Sequence, residues 1–117
     1  MFIETGVDLT RIDRLAALSA NARFLRRVFT PSELDDTRPA HLAGLFAAKE
    51  AVFKALGKSP RWQAITIVRA PSGRPRVLLD VDLREPGLRA IDVSISHEAG
   101  FAIAVAIAVF DGTSGLQ

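Results

Sequence analysis

Cysteine is absent from this 117-residue chain. That excludes a disulfide scaffold, a thiolate zinc site and a cysteine nucleophile, and it is compatible with a reducing cytosol, so a cytoplasmic location is expected. Long apolar runs are absent as well. The longest, Phe101 to Phe110, is about half of the ~20 residues that a helix needs to cross a bilayer, and no membrane partner is expected. The N-terminus, Met1-Phe2-Ile3-Glu4, lacks a basic stretch followed by an apolar one, so no secretory signal is expected. Charge of one sign is not in great excess either. The net charge is +2 with a pI near 9.7, so the placement of arginines matters more than their total. What is present, 49% apolar and 24% charged residues, is the make-up of an ordinary globular domain. One domain over residues 1–111 is expected, followed by a polar, frayed tail over 112–117.

The pattern begins as a strand over Phe2 to Leu9 that carries Gly6 and an acid, Asp8, among apolar neighbours. From Arg11 to Val28 the apolar spacing is helical, with a break around Ser19 to Asn21. Thr30-Pro31-Ser32-Glu33 fits a capping box, and a short helix is expected from Pro31. A longer one is expected from Pro39 to Leu56, where Leu42, Leu45, Phe46, Val52, Phe53 and Leu56 form a wide apolar face and Gly57 offers a cap. Ala64 to Arg69 and Arg76 to Val81 read as a hairpin. Ile91 to Ser96 and Phe101 to Val109 read as two further strands. In the last, bulky residues alternate with Ala102, Ala104, Ala106 and Ala108, so the strand is expected to be central and covered on both sides, by a helix and by either a second sheet or another subunit, with a close approach on its methyl face.

Four residues are chemically suggestive on their own: Asp8, Glu50 and Lys54 four apart on the long helix, and His97 at a strand end. Each has a plain structural alternative. Asp8 could cap the following helix, Glu50 and Lys54 could be a surface ion pair worth ~0.3–0.5 kcal/mol, and His97 could be a satisfied turn residue. Arg11, Arg14, Arg23, Arg26 and Arg27 could be a solvated face.

The surrounding strings carry more. GVDLTRIDR (Gly6 to Arg14), FTPSEL (Phe29 to Leu34), LAGLFAAKEAVFKALG (Leu42 to Gly57), SGRP (Ser72 to Pro75) and VSISHE (Val93 to Glu98) occur in an order and at spacings that resemble the holo-[acyl-carrier-protein] synthase family, the short type of 4′-phosphopantetheinyl transferase. The FAAKEA and SISHE blocks are the most specific. The resemblance implies an α+β fold with helices on a small, mainly antiparallel sheet. It also implies a homotrimer with active sites between subunits, and magnesium-dependent transfer of the phosphopantetheine arm of coenzyme A to a serine of an acyl carrier protein, with release of 3′,5′-ADP.

By motif, Asp8 and Glu50 match the metal ligands and Lys54 the lysine on the pyrophosphate; these three are the expected catalytic group. Breaking a pyrophosphate linkage concentrates negative charge on phosphate oxygens, which suits a hard cation held by carboxylates. Ser96 and His97, with the turn Gly73-Arg74-Pro75, match contacts near the 3′-phosphoadenosine end. Arg14 and Arg23 match arginines presented to the acidic carrier, away from coenzyme A. The base that takes the serine proton is left unassigned.

Two departures stand out: Leu45 occupies a position where the family usually has arginine, and Lys58-Ser59-Pro60-Arg61 replaces a glycine-rich stretch. The alternative they motivate is a non-catalytic carrier-binding homologue with weakened coenzyme A binding. Nucleic acid is not an expected partner, because no binding motif or stacking platform accompanies the arginines.

Overall fold

The alternation near the C-terminus organises the molecule. In the computed structural model, which describes residues 1–114, the chain forms β1 (Phe2–Arg11), α1 (Ile12–Leu18), α2 (Ala22–Val28), α3 (Pro39–Leu56), β2 (Ile65–Arg69), β3 (Pro75–Leu79), β4 (Leu88–Glu98) and β5 (Phe101–Phe110). Short 3₁₀ turns cover Pro31–Asp35, Trp62–Ala64 and Val81–Leu83. The end of the expected polar tail, 115–117, lies outside the described residues.

The expected α+β class is the observed one. β5 is the central strand of an antiparallel sheet ordered β1-β5-β4, and β2 pairs with β3 in a second antiparallel sheet. The turn between β4 and β5 places Ala99 and Gly100 at positive φ, as a tight two-residue hairpin connection requires. Along β5 the four alanines are buried against α3, whereas Phe101, Ile103, Val105 and Ile107 remain 37–45% exposed. The strand is thus central, but within the chain only its methyl face is covered.

A face of methyls lets a helix approach closely, and Gly6 takes this to its limit. A Cβ at Gly6 would lie 2.0 Å from the Ala51 carbonyl oxygen, so β1 and α3 touch backbone to backbone there. α3 ends where Gly57 adopts a left-handed conformation, φ 66°, which glycine takes without steric cost. The capping box at Thr30 is formed, with the Thr30 N–H donating to Glu33 Oε1 at 2.8 Å. The turn it starts is 3₁₀ and five residues long rather than an α-helix. Beneath α1 and α2, Trp62 stacks on Phe46 with centroids 5.2 Å apart and meets Phe53 edge-on at 5.9 Å.

Candidate active site

The Gly6 contact fixes the position of the next residues of β1. Asp8 lies two residues on, on the same side of the sheet, and Thr10 after it donates its hydroxyl to Asp8 Oδ2 at 2.9 Å. Asp8 is therefore held as an acceptor, not used to cap α1, whose N-cap is Arg11. On α3, Lys54 donates to the Val7 carbonyl at 2.9 Å and its Nζ stands 3.6 Å from Asp8 Oδ1. The simple alternative of an ion pair between Glu50 and Lys54 is not what forms; Lys54 turns to β1 instead.

Glu50 is half-buried, and burial raises its carboxyl above the usual carboxylate range; the charge of Asp8 adds to the rise, while Lys54 and Arg14 offset part of it. Two carboxylates that repel one another at the edge of a core are a donor set suited to a hard divalent cation. Magnesium commonly takes one or two protein carboxylates and fills its remaining positions with water and substrate phosphate. The residues fit that mode, although no cluster of three or more histidine or carboxylate ligands occurs among the described residues.

Arg14 and Arg23 line a cleft of about 430 Å³ between α1, α2 and α3, and Glu50 lies in its wall with Phe24, Phe46 and Trp62. Arg14 also sits over the Phe46 ring at 5.6 Å. The two arginines therefore share one cleft with a metal-ligand candidate, where the motif match alone sets them apart from the coenzyme A end.

The SISHE and SGRP blocks come together at the other end of α3, but not all of their residues do. His97 Nε2 lies 2.9 Å from the Ala40 carbonyl, and Gly44 leaves it room, since a Cβ there would be 3.1 Å from the ring. Gly73 and Pro75 line a cleft of about 270 Å³ with His97. Ser96 pairs with Ile103 on the uncovered face of the sheet, whereas His97 pairs with buried Ala102 on the helix side. Arg74 likewise lines a separate cleft with Val105 and Ile107 on the uncovered face. In its place Arg69 and His41, which the motifs passed over, stand beside His97.

Leu45 is buried in the wall of this cleft. The Lys58–Arg61 loop is pinned elsewhere: Lys58 pairs with Glu85 at 3.0 Å, and Arg61 pairs with Asp82. Lys49, the neighbour of Glu50, points the opposite way into the core. It donates to Glu33 Oε1 at 2.7 Å and to the Val28 carbonyl at 2.9 Å, while Glu33 Oε2 accepts the Ile67 N–H at 2.8 Å.

A carboxylate pair and a lysine thus stand at one end of the main helix, and comparison defines the class. The chain belongs to the 4′-phosphopantetheinyl transferase superfamily, whose family model matches residues 4–106. Within it the similarity is to holo-[acyl-carrier-protein] synthases. The Moorella thermoacetica holo-[acyl-carrier-protein] synthase is 46% identical over 90% of this chain and 92% of its own length. The Helicobacter pylori holo-[acyl-carrier-protein] synthase, solved in complex with coenzyme A, superposes with a TM-score of 0.82 at 32% identity, covering 89% of this chain and 98% of that one. A coenzyme A complex from Chronobacterium ammoniagenes gives a TM-score of 0.79 at 28% identity, covering 96% and 100%.

Proposed function

We propose that the chain transfers the 4′-phosphopantetheine arm of coenzyme A to a serine of an apo acyl carrier protein in the cytoplasm, with release of 3′,5′-ADP. The observation that carries this reading is the convergence of Asp8, Glu50 and Lys54 around the Gly6 contact, in a fold shared with a coenzyme A complex. Asp8 and Glu50 would hold Mg²⁺, which when bound supplies positive charge against the phosphate oxygens of the scissile linkage. Lys54 is half-exposed, with one bond to the Val7 carbonyl and Asp8 at 3.6 Å, so its ammonium keeps a donor for a pyrophosphate oxygen. Arg14 and Arg23 offer cations at the mouth of the Glu50 cleft to an acidic carrier.

His97, Gly73 and Pro75 form the binding surface for the 3′-phosphoadenosine end. Ser96 and Arg74 lie on the uncovered side of the sheet, and they reach a ligand held against a neighbouring copy. A homotrimer with sites between subunits suits this division. Val7, Leu9, Phe101, Ile103, Val105 and Ile107 present an exposed apolar face that burial against another copy would stabilise.

The test is to incubate the protein with coenzyme A, Mg²⁺ and an apo carrier and to weigh the carrier by mass spectrometry. The expected result is the mass gain of one phosphopantetheine group. It should be lost to below ~1% of the parent rate in Asp8→Ala, which removes charge stabilisation from the transition state while leaving the fold intact. No mass gain with the parent protein, or an undiminished rate in the folded variant, overturns the reading.

A further inference from the structure

The chain has two histidines, and both line the cleft of about 270 Å³ at the N-terminal end of α3. Arg69 lines it with them, the one lysine or arginine in this cleft among the described residues. Its Nη1 donates to the Gly73 carbonyl at 3.0 Å, which ties the guanidinium to the turn. That bond uses one of five N–H donors. Among the described residues, the carboxylates that form ion pairs are matched to other cations, and none is matched to Arg69.

The charge pattern has a direction. A second cleft of about 300 Å³ shares His41 and Arg69, but Asp35 and Asp36 line it and would repel an anion. The smaller cleft has no carboxylate in its lining. His97 adds to this polarity. Its Nε2 faces the Ala40 carbonyl, which can only accept, so Nε2 carries the proton. An unpaired, pre-oriented guanidinium next to two imidazoles, over the apolar floor of Leu45 and Ile95, matches a phosphomonoester attached to a small organic group.

We propose that Arg69 is the residue by which this chain recognises a terminal phosphomonoester in that cleft, and so the determinant that separates coenzyme A from its 3′-dephospho form. The proposal rests on the reading that this chain binds coenzyme A, and not on transfer to a carrier. It places the 3′-phosphate against Arg69, with His41 and His97 flanking it. Lysine at this position keeps the charge but loses the planar fork.

Titration calorimetry with 3′,5′-ADP and with adenosine 5′-monophosphate reads the determinant without requiring turnover. The parent protein should favour 3′,5′-ADP by ~10- to 100-fold, the range of a charge-assisted hydrogen bond. Arg69→Gln should bring the two affinities together by weakening 3′,5′-ADP alone, and Arg69→Lys should recover part of the preference. An Arg69→Gln protein that melts like the parent and keeps the parent's preference overturns the proposal, as does a parent protein with no preference. If the parent modifies no carrier but Arg69→Gln still abolishes the preference, the transfer reading fails and this one stands.

Discussion

Lys49 and Lys54 stand five residues apart on α3, within one sequence block, and do opposite work. Lys49 and its partner Glu33 are wholly buried. The lysine also reaches the Val28 carbonyl and lies 5.9 Å over the Phe29 ring, and its partner is anchored by the N–H groups of Thr30 and Ile67. Burial lowers the ammonium's pKa against the pull of Glu33. Lys54 is half-exposed, and its carboxylate partner stands at 3.6 Å. A cation with all its partners in the core fixes the rotation of α3 and joins it to the Pro31 turn and β2. A cation with a loose partner at the rim is available to a ligand. Neighbouring positions of a motif thus separate a residue that holds the helix in place from one left accessible at its rim.

The comparison breaks most severely at Lys49. Lys49→Met leaves the Glu33 charge buried without its counter-ion, and stability should fall by ~3–5 kcal/mol. The double variant Lys49→Met with Glu33→Gln should recover much of the loss, because the amide oxygen can still accept a backbone N–H. Urea titrations of the three proteins measure this; an unchanged midpoint in the single variant would show that the pair carries no stability.

The next largest effect belongs to Gly6, which sets how close Lys54 and Glu50 come to Asp8. In Gly6→Ala the new methyl meets the Ala51 carbonyl, a backbone atom that cannot turn aside. The strand and the helix must separate, at a cost of ~1–3 kcal/mol. Turnover should fall by up to ~100-fold, because the side chains proposed to be catalytic are displaced by a fraction of an ångström or more. Parent-like turnover in this variant would mean that the approach of β1 to α3 does not govern the site.

Much of this is legible in the sequence, for reasons tied to particular residues. The alanines of β5 announce a close layer because period two is local, and Gly57 announces the end of α3 because a left-handed cap is local. Asp8, Glu50 and Lys54 come together as the motif resemblance implies. The Lys49–Glu33 pair is not legible, since the two residues are sixteen positions apart and a lysine at a buried position gives no sign of its partner. Arg69 escapes notice because the motif lies in the turn, where Arg74 supplies a cation of its own. The fold turns Arg74 to the uncovered side of the sheet and leaves Arg69 by His97. The separation of Ser96 from His97 is within reach of the sequence: adjacent residues of a strand face opposite sides, and the motif that joins them overrides that rule.

Lys54→Met sharpens the comparison from the other lysine. The side chain keeps its length and loses its charge at a half-exposed position, so stability should stay within ~0.5 kcal/mol of the parent. The KM for coenzyme A should rise ~10-fold through the lost charge-assisted hydrogen bond to a phosphate oxygen. A large loss of stability with an unchanged KM would give Lys54 the structural role argued for Lys49.

The smallest effect on stability is at Glu50, and its sign separates the two kinds of residue. Its carboxyl is pushed above the ordinary range by burial first and by Asp8 second, so the folded protein holds this proton to a higher pH than the unfolded chain does. Between the ordinary carboxylate pKa and the raised one, the native state binds more protons. Stability from this group is therefore fully present below the ordinary value and is lost as pH rises through the raised one. Glu50→Gln removes the titration and the repulsion with Asp8 together. Without divalent cation, the variant should gain stability over the parent as pH rises above the ordinary carboxylate value of 4.5, as the upward direction of the shift requires. Its transfer activity should be lost, because the neutral amide is a poor magnesium ligand. Urea titrations of both proteins across that pH range give the difference directly. A gain that shrinks with rising pH would mean that the Glu50 charge stabilises the fold, as the charge of Lys49 does.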